Sequence, residues 1–69
     1  MPTLSVAAME KILKKAGSER VSKRAAVELS KALEEIGIDI GRDAAEFAKH
    51  AGRKTVVDGD IRLARKNAG

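Results

Sequence analysis

Two short segments of the chain combine basic and hydroxyl side chains in a pattern suited to binding anions. The first segment follows an Ala-Gly pair and contains Arg20, Val21 and Ser22. The second lies 35 residues further on, follows another Ala-Gly pair, and contains Arg53, Lys54 and Thr55. Guanidinium, ammonium and hydroxyl groups all donate hydrogen bonds to phosphate oxygens. The pattern therefore favours contact with a polyanion.

The composition argues against an enzyme. The chain has no Cys and one His, and it lacks a glycine-rich phosphate loop and a pair of acids on opposing elements. These are the groups that would supply a nucleophile, a general acid and base, or a metal site. We therefore expect no catalytic residues, no metal and no cofactor.

Charge falls into three blocks along the chain. Residues 1–24 carry six Lys or Arg against two acids, a net +4. Residues 25–46 carry two against six, a net −4, and residues 47–69 carry six against two, again +4. A polyanion is therefore expected to meet the two ends of the chain and not its middle.

An apolar stripe predicts one long amphipathic helix in the middle of the chain. Its members recur at a mean spacing near 3.7 residues: Leu29, Leu33, Ile36, Ile40, Ala44, Phe47 and Ala51. From a Ser22 N-cap to Gly52, such a helix would run roughly 43 Å at about 1.5 Å per residue. A compact monomer of this length is only about 28 Å across. A partner chain must therefore cover much of the stripe, so the sequence predicts a dimer.

Short helices are predicted on both sides of the long one. The first, roughly Ser5 to Ala16, has Val6, Met9, Leu13 and Ala16 on one face. The third, roughly Gly59 to Asn67 behind a capping Asp58, offers Ile61, Leu63 and Ala64. Gly17 and Gly52 are expected to close the first and second helices at C′. The chain is thus predicted to be all-α, with a single domain over residues 1–69.

Gly37 and Gly41 leave a second arrangement open, in which the long helix breaks and the chain forms a four-helix monomer. Two interior glycines cost a helix on the order of 2 kcal/mol together. Neither is a proline, however, and the apolar phase is the same before and after them. Ile38 lies off the stripe and is expected to be exposed or to face a partner.

A short helix, a long helix and a short helix joined by paired basic loops resemble the histone fold. The residues are similar to those of the archaeal histone family over almost the whole chain. The matching residues are Ala16, Gly17, residues 19–22, Glu34, Glu35, residues 49–55, Asp60 and Ile61. The resemblance implies an intertwined head-to-tail dimer, in which the first loop of one chain pairs with the second loop of the other as a short parallel β-bridge.

The resemblance also implies binding of double-stranded DNA with little sequence preference. Arg20 would enter the minor groove, because arginine suits a narrow, electronegative groove. Without the surrounding motif, the favoured interpretation of Arg20 is an ordinary surface arginine; the motif reverses this preference. The remaining DNA contacts implied by the resemblance would come from Ser22, Lys54, Thr55, Lys11 and Lys14.

Structural roles implied by the resemblance cluster near the second loop. Arg53 and Asp60, seven residues apart, would form an intrachain clamp that fixes this loop; the alternative is two unrelated charges. Dimers would join through a four-helix contact made by Phe47, His50, Asp60 and Leu63. For His50 the alternative is an exposed imidazole that suits the C-terminal dipole of its helix. Gly17 matches a family position where dimers stack along DNA.

The chain departs from the family pattern at both ends and in the middle. Ser5 and Ala8 replace a proline-containing start, and the only proline is Pro2. Gly41 lies where a better helix former is expected. The sequence ends at Gly69 without a basic or aromatic tail.

Two functions are compatible with these features, and a third is not. The first is a cytoplasmic, chromosome-associated protein that compacts DNA as a homodimer, or as a heterodimer with another histone-fold chain, and assembles further along DNA. The second is a subunit of a heteromeric transcription or chromosome complex, which would not dimerise alone. A helix-turn-helix repressor needs two helices joined by a turn of about 3–4 residues, and the long helix leaves no such pair. No apolar run approaches about 18 residues, so no membrane partner is expected.

Overall fold

The chain forms three helices in a computed structural model that describes residues 4–68. They are α1 (Val6–Lys15), α2 (Lys23–His50) and α3 (Asp58–Ala68), and residues 4–68 contain no strand. The predicted all-α order of short, long and short helices is confirmed. Pro2 and Gly69, noted as departures from the family pattern, lie outside the described residues.

Ser5 starts α1 in place of a proline. Its backbone is extended, with φ −64° and ψ 132°, and its side-chain oxygen accepts a hydrogen bond from the Ala8 N–H at 3.3 Å. A second bond fixes the segment before the helix, because Ser30 Oγ of α2 donates to the Leu4 carbonyl at 3.1 Å. The entry of α1 is therefore set by two serines.

Helix α2 is continuous over its 28 residues. Ser22 is its N-cap, since the hydroxyl oxygen accepts the Ala25 N–H at 3.0 Å. Gly37 and Gly41 both lie within the helix and neither has a positive φ. The alternative of a broken helix and a four-helix monomer is therefore wrong.

Two glycines end α1 and α2 in the same way. Gly17 and Gly52 have φ values of +117° and +73°, a left-handed conformation that side chains disfavour. After α1, the Ser18 N–H donates to the Leu13 carbonyl at 3.1 Å; after α2, the Arg53 N–H donates to the Ala48 carbonyl at 2.9 Å. Each bond is the long-range bond of a Schellman motif, so the predicted C′ glycines are confirmed.

The cap of α3 differs from the prediction. Asp58 was expected to precede the helix, but it is the first helical residue, and its carboxylate pairs with Arg62 at 2.9 Å. Val57 occupies the cap position instead. Its N–H donates to Asp60 Oδ2 at 2.9 Å, while its carbonyl accepts the Asp60 N–H at 3.0 Å. This is the half of a capping box in which the third helical residue reaches back to the cap.

The chain divides into two compact units, residues 1–35 and 36–69, and each contains a helix, a loop and a helix. The buried apolar residues are mostly alanines: Met9 and Ala26 in the first unit, and Ala44, Ala48 and Ala64 in the second. Larger apolar side chains are exposed in both units: Leu4, Ile12, Ile36, Ile38, Val56, Val57, Ile61 and Leu63. Among the described residues, four of the five buried apolar side chains are alanines, and eight larger apolar side chains are exposed.

Candidate nucleic-acid interface

The first loop, residues 16–22, presents Arg20 and Ser22 to solvent. Ser22 is fixed by its role as the cap of α2, because its oxygen accepts the Ala25 N–H. A hydroxyl also carries one donor, so Ser22 can cap the helix and donate to a phosphate at the same time. The N-terminus of a helix adds partial positive charge at this position.

Exposed lysines on α1 lie before this loop. Lys11 and Lys14 are both solvent-accessible and are three residues apart, so they share one side of the helix. Lys14 and Lys15 occupy the last turn of α1. The first unit therefore has positive charge both on α1 and in the loop that follows it.

The second loop, residues 51–57, presents Lys54 and Thr55. A side chain of the same loop fixes its backbone, because Arg53 Nη1 donates to the Thr55 carbonyl at 3.0 Å. An open hollow of about 330 Å³ lies beside the loop. Its lining includes Ala48, Val56, Lys49 and Lys54. The second loop is thus a shaped, basic surface.

Arg53 also binds Asp60 of α3 through two parallel hydrogen bonds. Nη1 donates to Oδ2 at 2.8 Å, and Nη2 donates to Oδ1 at 2.9 Å. Asp60 is only 5% exposed. The hydrogen bonds from Arg53, followed by the bond from the Val57 N–H, lower the pKa of Asp60 to about 2, against the opposing effect of desolvation. The same pairing raises the pKa of Arg53.

The four residues expected to join dimers differ in their accessibility. His50 and Leu63 are exposed, whereas Phe47 is half-buried. Asp60 already accepts three hydrogen bonds inside its own chain. A carboxylate offers about four lone-pair positions, so Asp60 retains room for one further donor, such as an imidazole N–H.

Within each unit, the structure brings some of the expected residues together. The first unit holds Arg20, Ser22 and the α1 lysines, and the second holds Lys54, Thr55 and the Arg53–Asp60 pair. The β-bridge between the two loops involves a second chain and stays a prediction. Sequence reasoning missed the Ser30 bond to Leu4, because a serine within a helix gives no sign of which distant carbonyl it reaches. It also missed the bond from Arg53 to the Thr55 carbonyl, which no pattern of residue types indicates.

Over residues 4–68, no helix is long and apolar enough to cross a membrane. In the same part of the chain, no group of three or more His, Asp or Glu side chains is placed to hold a metal ion.

Three helices in short, long and short order, with a capped basic loop at each junction, define a histone-fold chain. Residues 2–64 match the family described as histone-like transcription factor (CBF/NF-Y) and archaeal histone, and the chain belongs to this family. It is 52% identical over 66 residues to an archaeal histone HAN1 subunit from Thermococcus zilligii, covering 96% of this chain and 98% of that protein. It is 48% identical over 64 residues to probable archaeal histone 3 of Methanocaldococcus jannaschii, covering 93% and 96%.

Proposed function

We propose that this chain is a chromosome-associated architectural protein that binds double-stranded DNA as a homodimer, with little sequence preference, and that assembles further along the duplex. The observation that supports this most strongly is the pair of exposed basic loops, each fixed by a glycine-ended helix before it. These loops belong to a chain of the archaeal histone family. Groups of this kind bind the phosphate backbone, which is the same for every sequence.

The accessible apolar side chains support a dimer as the functional unit. Ile36 of the stripe is 52% exposed, and Ile61 and Leu63 of α3 are 42% and 48% exposed. A chain of this size is near the limit at which one core is sufficient, and it has no cysteine to form a disulfide. A second copy would cover this surface. The melting temperature should therefore rise with protein concentration, and a folded monomer at micromolar concentration would contradict the proposal.

Each loop residue has a distinct role in this proposal. Arg20 inserts into the minor groove, while Ser22 and Thr55 donate to phosphates. Lys54, Lys11 and Lys14 neutralise phosphate charge. The acidic middle of α2 stays away from the duplex, because an acidic surface is repelled by phosphate. None of these contacts depends on which bases are present.

The test is the salt dependence of DNA binding. Lys54→Ala should weaken binding to all sequences about equally and reduce the slope of log K against log salt by roughly 1 per contact, about 2 per dimer. Lys31→Ala is the matched control, because Lys31 lies in the acidic middle beside Glu28, at 3.5 Å. This control should leave the slope unchanged. Affinity lost for one sequence alone would indicate base readout and contradict the proposal.

A heteromeric assembly is the second candidate. The relative from Thermococcus zilligii is named as one subunit of archaeal histone HAN1, which favours considering a different partner chain. The two candidates differ in the behaviour of the purified protein. A chain that dimerises and binds DNA alone is a homodimer, whereas one that folds only after a second histone-fold chain is added is part of a heteromer.

A further inference from the structure

Helix α2 carries exposed isoleucines on two opposite sides. Ile36 belongs to the stripe, and Ile38, two residues later, is 48% exposed. At about 100° per residue, two residues are separated by about 160° around a helix. A partner chain that covers the stripe therefore leaves Ile38 on the outer side of α2. Ile38 is thus an exposed isoleucine in the middle of an acidic part of the helix.

Four of the exposed charges on this outer side have a regular spacing, and the exposed Lys31 and Glu46 lie between them. Glu28, Glu35, Arg42 and Lys49 follow one another at intervals of seven residues. Seven residues are close to two helical turns, with a drift of only about 20° per interval. Ile38 lies three residues after Glu35 and four before Arg42, at the centre of the series. We call Ile38 and the four regularly spaced charges the outer face of α2.

We propose that the outer face of α2 pairs with the same face of a second copy, antiparallel, about a two-fold axis near Ile38. The order of these four charges along the helix is negative, negative, positive, positive, and an antiparallel second copy would also place its Glu46 opposite Lys31. Turning a second copy end to end places its Arg42 opposite Glu35 and its Lys49 opposite Glu28. Each pair occurs twice, as an isologous contact requires, and the two Ile38 side chains meet at the axis.

Charge complementarity identifies the occupant as a second copy. A DNA duplex would be repelled by the acidic half of the outer face, and a basic peptide would be repelled by the other half. A parallel copy would place like charges opposite each other. Only the antiparallel copy satisfies all four positions.

Existing contacts within the chain leave these charges available. Glu28 lies 3.5 Å from Lys31, and Arg42 lies 3.9 Å from Asp39, and all four side chains are more than half exposed. Exposed pairs of this kind are weak and exchange readily. Pairing through the outer face therefore needs no change in the fold.

The outer face would join one dimer to another. It lies on the opposite side of α2 from the stripe, and it shares no residue with the proposed contact through Phe47 and Leu63. One apolar residue and exposed ion pairs give a weak contact in free solution. Dimers held side by side on DNA have a high effective concentration, which strengthens such a contact without changing it. The inference rests on the proposed dimer as the unit and does not require DNA binding.

Charge reversal tests the register. Glu35→Arg or Arg42→Glu alone should lower the association constant for dimer pairing by about tenfold, because attractive pairs at two symmetric places become repulsive. The double variant, Glu35→Arg with Arg42→Glu, should restore the constant to that of the unaltered protein. Positions 35 and 42 are about 10.5 Å apart along the helix, too far to pair within one chain. Restoration therefore has to come from a second copy.

The measurement is sedimentation equilibrium of the purified protein at low salt, without DNA. Glu19→Arg is the matched control, since it changes the net charge by the same amount as Glu35→Arg but lies in the exposed first loop and not on α2; it should leave association unchanged. Failure of the double variant to restore association would overturn the proposed pairing. So would single variants that dissociate the dimer itself, because the outer face would then belong to the stripe contact. The salt slope of DNA binding is measured separately, so failure of the proposed function is seen independently.

Discussion

Arg53 and Asp60 are joined by two hydrogen bonds, of 2.8 and 2.9 Å, across the second loop. The same carboxylate accepts the Val57 N–H, and the same guanidinium donates to the Thr55 carbonyl. One ion pair therefore fixes the end of the loop, the start of α3 and the backbone beside Lys54. Loss of either partner should loosen the surface that presents Lys54 and Thr55.

We predict that stability falls in acid through Asp60. Its pKa is about 2 in the folded chain, against an ordinary value of 3.8. A lowered carboxyl pKa stabilises the fold above the unfolded value, and this contribution is lost as pH falls from about 4 to about 2. The free energy of unfolding, measured by denaturant titration across this range, should fall more steeply than for Asp60→Asn.

Asp60→Asn should be less stable than the unaltered protein at neutral pH, since the amide cannot accept both Arg53 bonds. The difference between the two proteins should narrow as pH approaches 2. Asp58→Asn is the control, because Asp58 forms an exposed pair with Arg62, and it should have only a small effect. Parallel pH curves for Asp60→Asn and the unaltered protein would contradict the assignment.

The outline of the fold could be predicted because periodicity and caps are local signals. The stripe from Leu29 to Ala51 required a helix, and glycine at positions 17 and 52 marked where helices end. Asp58 is a case in which a local signal gave the wrong N-cap for α3. An aspartate before a helix is an ordinary N-cap, but here Asp60 supplies the carboxylate, because its geometry also satisfies Arg53. Which of the two aspartates supplies the carboxylate at the start of α3 depends on three-dimensional contacts, and residue types do not specify these contacts.

We predict that Ser30→Ala weakens the entry of α1. Ser30 is fully buried, with 0% exposure, and its hydroxyl donates to the Leu4 carbonyl at 3.1 Å. Removing a hydrogen bond of this kind typically costs about 0.5–1.5 kcal/mol. Hydrogen exchange at the first amides of α1 should become faster, and the free energy of unfolding should fall by this amount. Ser18→Ala, in the exposed first loop, should change neither quantity.

The glycines should respond to alanine in opposite directions. Gly17→Ala forces a side chain into φ +117°, which should destabilise the protein by about 1 kcal/mol or more. Gly41→Ala introduces a better helix former where no atom lies within 4 Å of the added Cβ, and it should stabilise α2 by about 0.5–1 kcal/mol. Thermal unfolding at a fixed protein concentration measures both. A loss of stability in Gly41→Ala would indicate that a second chain packs at that position.

The candidate site could be predicted only in part, and again for a physical reason. Arg20, Ser22, Lys54 and Thr55 are recognisable because basic and hydroxyl residues follow each helix-ending glycine. The hydrogen bond from Arg53 to the Thr55 carbonyl could not be predicted from the sequence. Every residue has a carbonyl, and only the path of the loop determines which one Arg53 reaches. The contacts proposed for Phe47, His50 and Leu63 need a second chain, so these roles stay predictions.

The last prediction concerns dimer-to-dimer assembly through α3. Leu63 is 48% exposed, as expected for an apolar side chain that another chain covers in the assembly. Leu63→Arg would place like charges opposite each other across a two-fold axis. The stripe and the DNA loops would be unaffected, so the dimer should still fold and bind DNA. On reconstituted DNA, nuclease protection should shrink from a ladder of multiples to single-dimer footprints.

Phe47→Glu disrupts the same contact from α2, because Phe47 is half-buried and the charge would be desolvated on assembly. Phe47 also belongs to the stripe, so sedimentation must first show that this variant still forms the dimer. If the ladder survives both Leu63→Arg and Phe47→Glu, these residues do not join dimers. Assembly would then depend on other surfaces, and the charge-reversal variants at Glu35 and Arg42 would show whether the outer face of α2 is one of them.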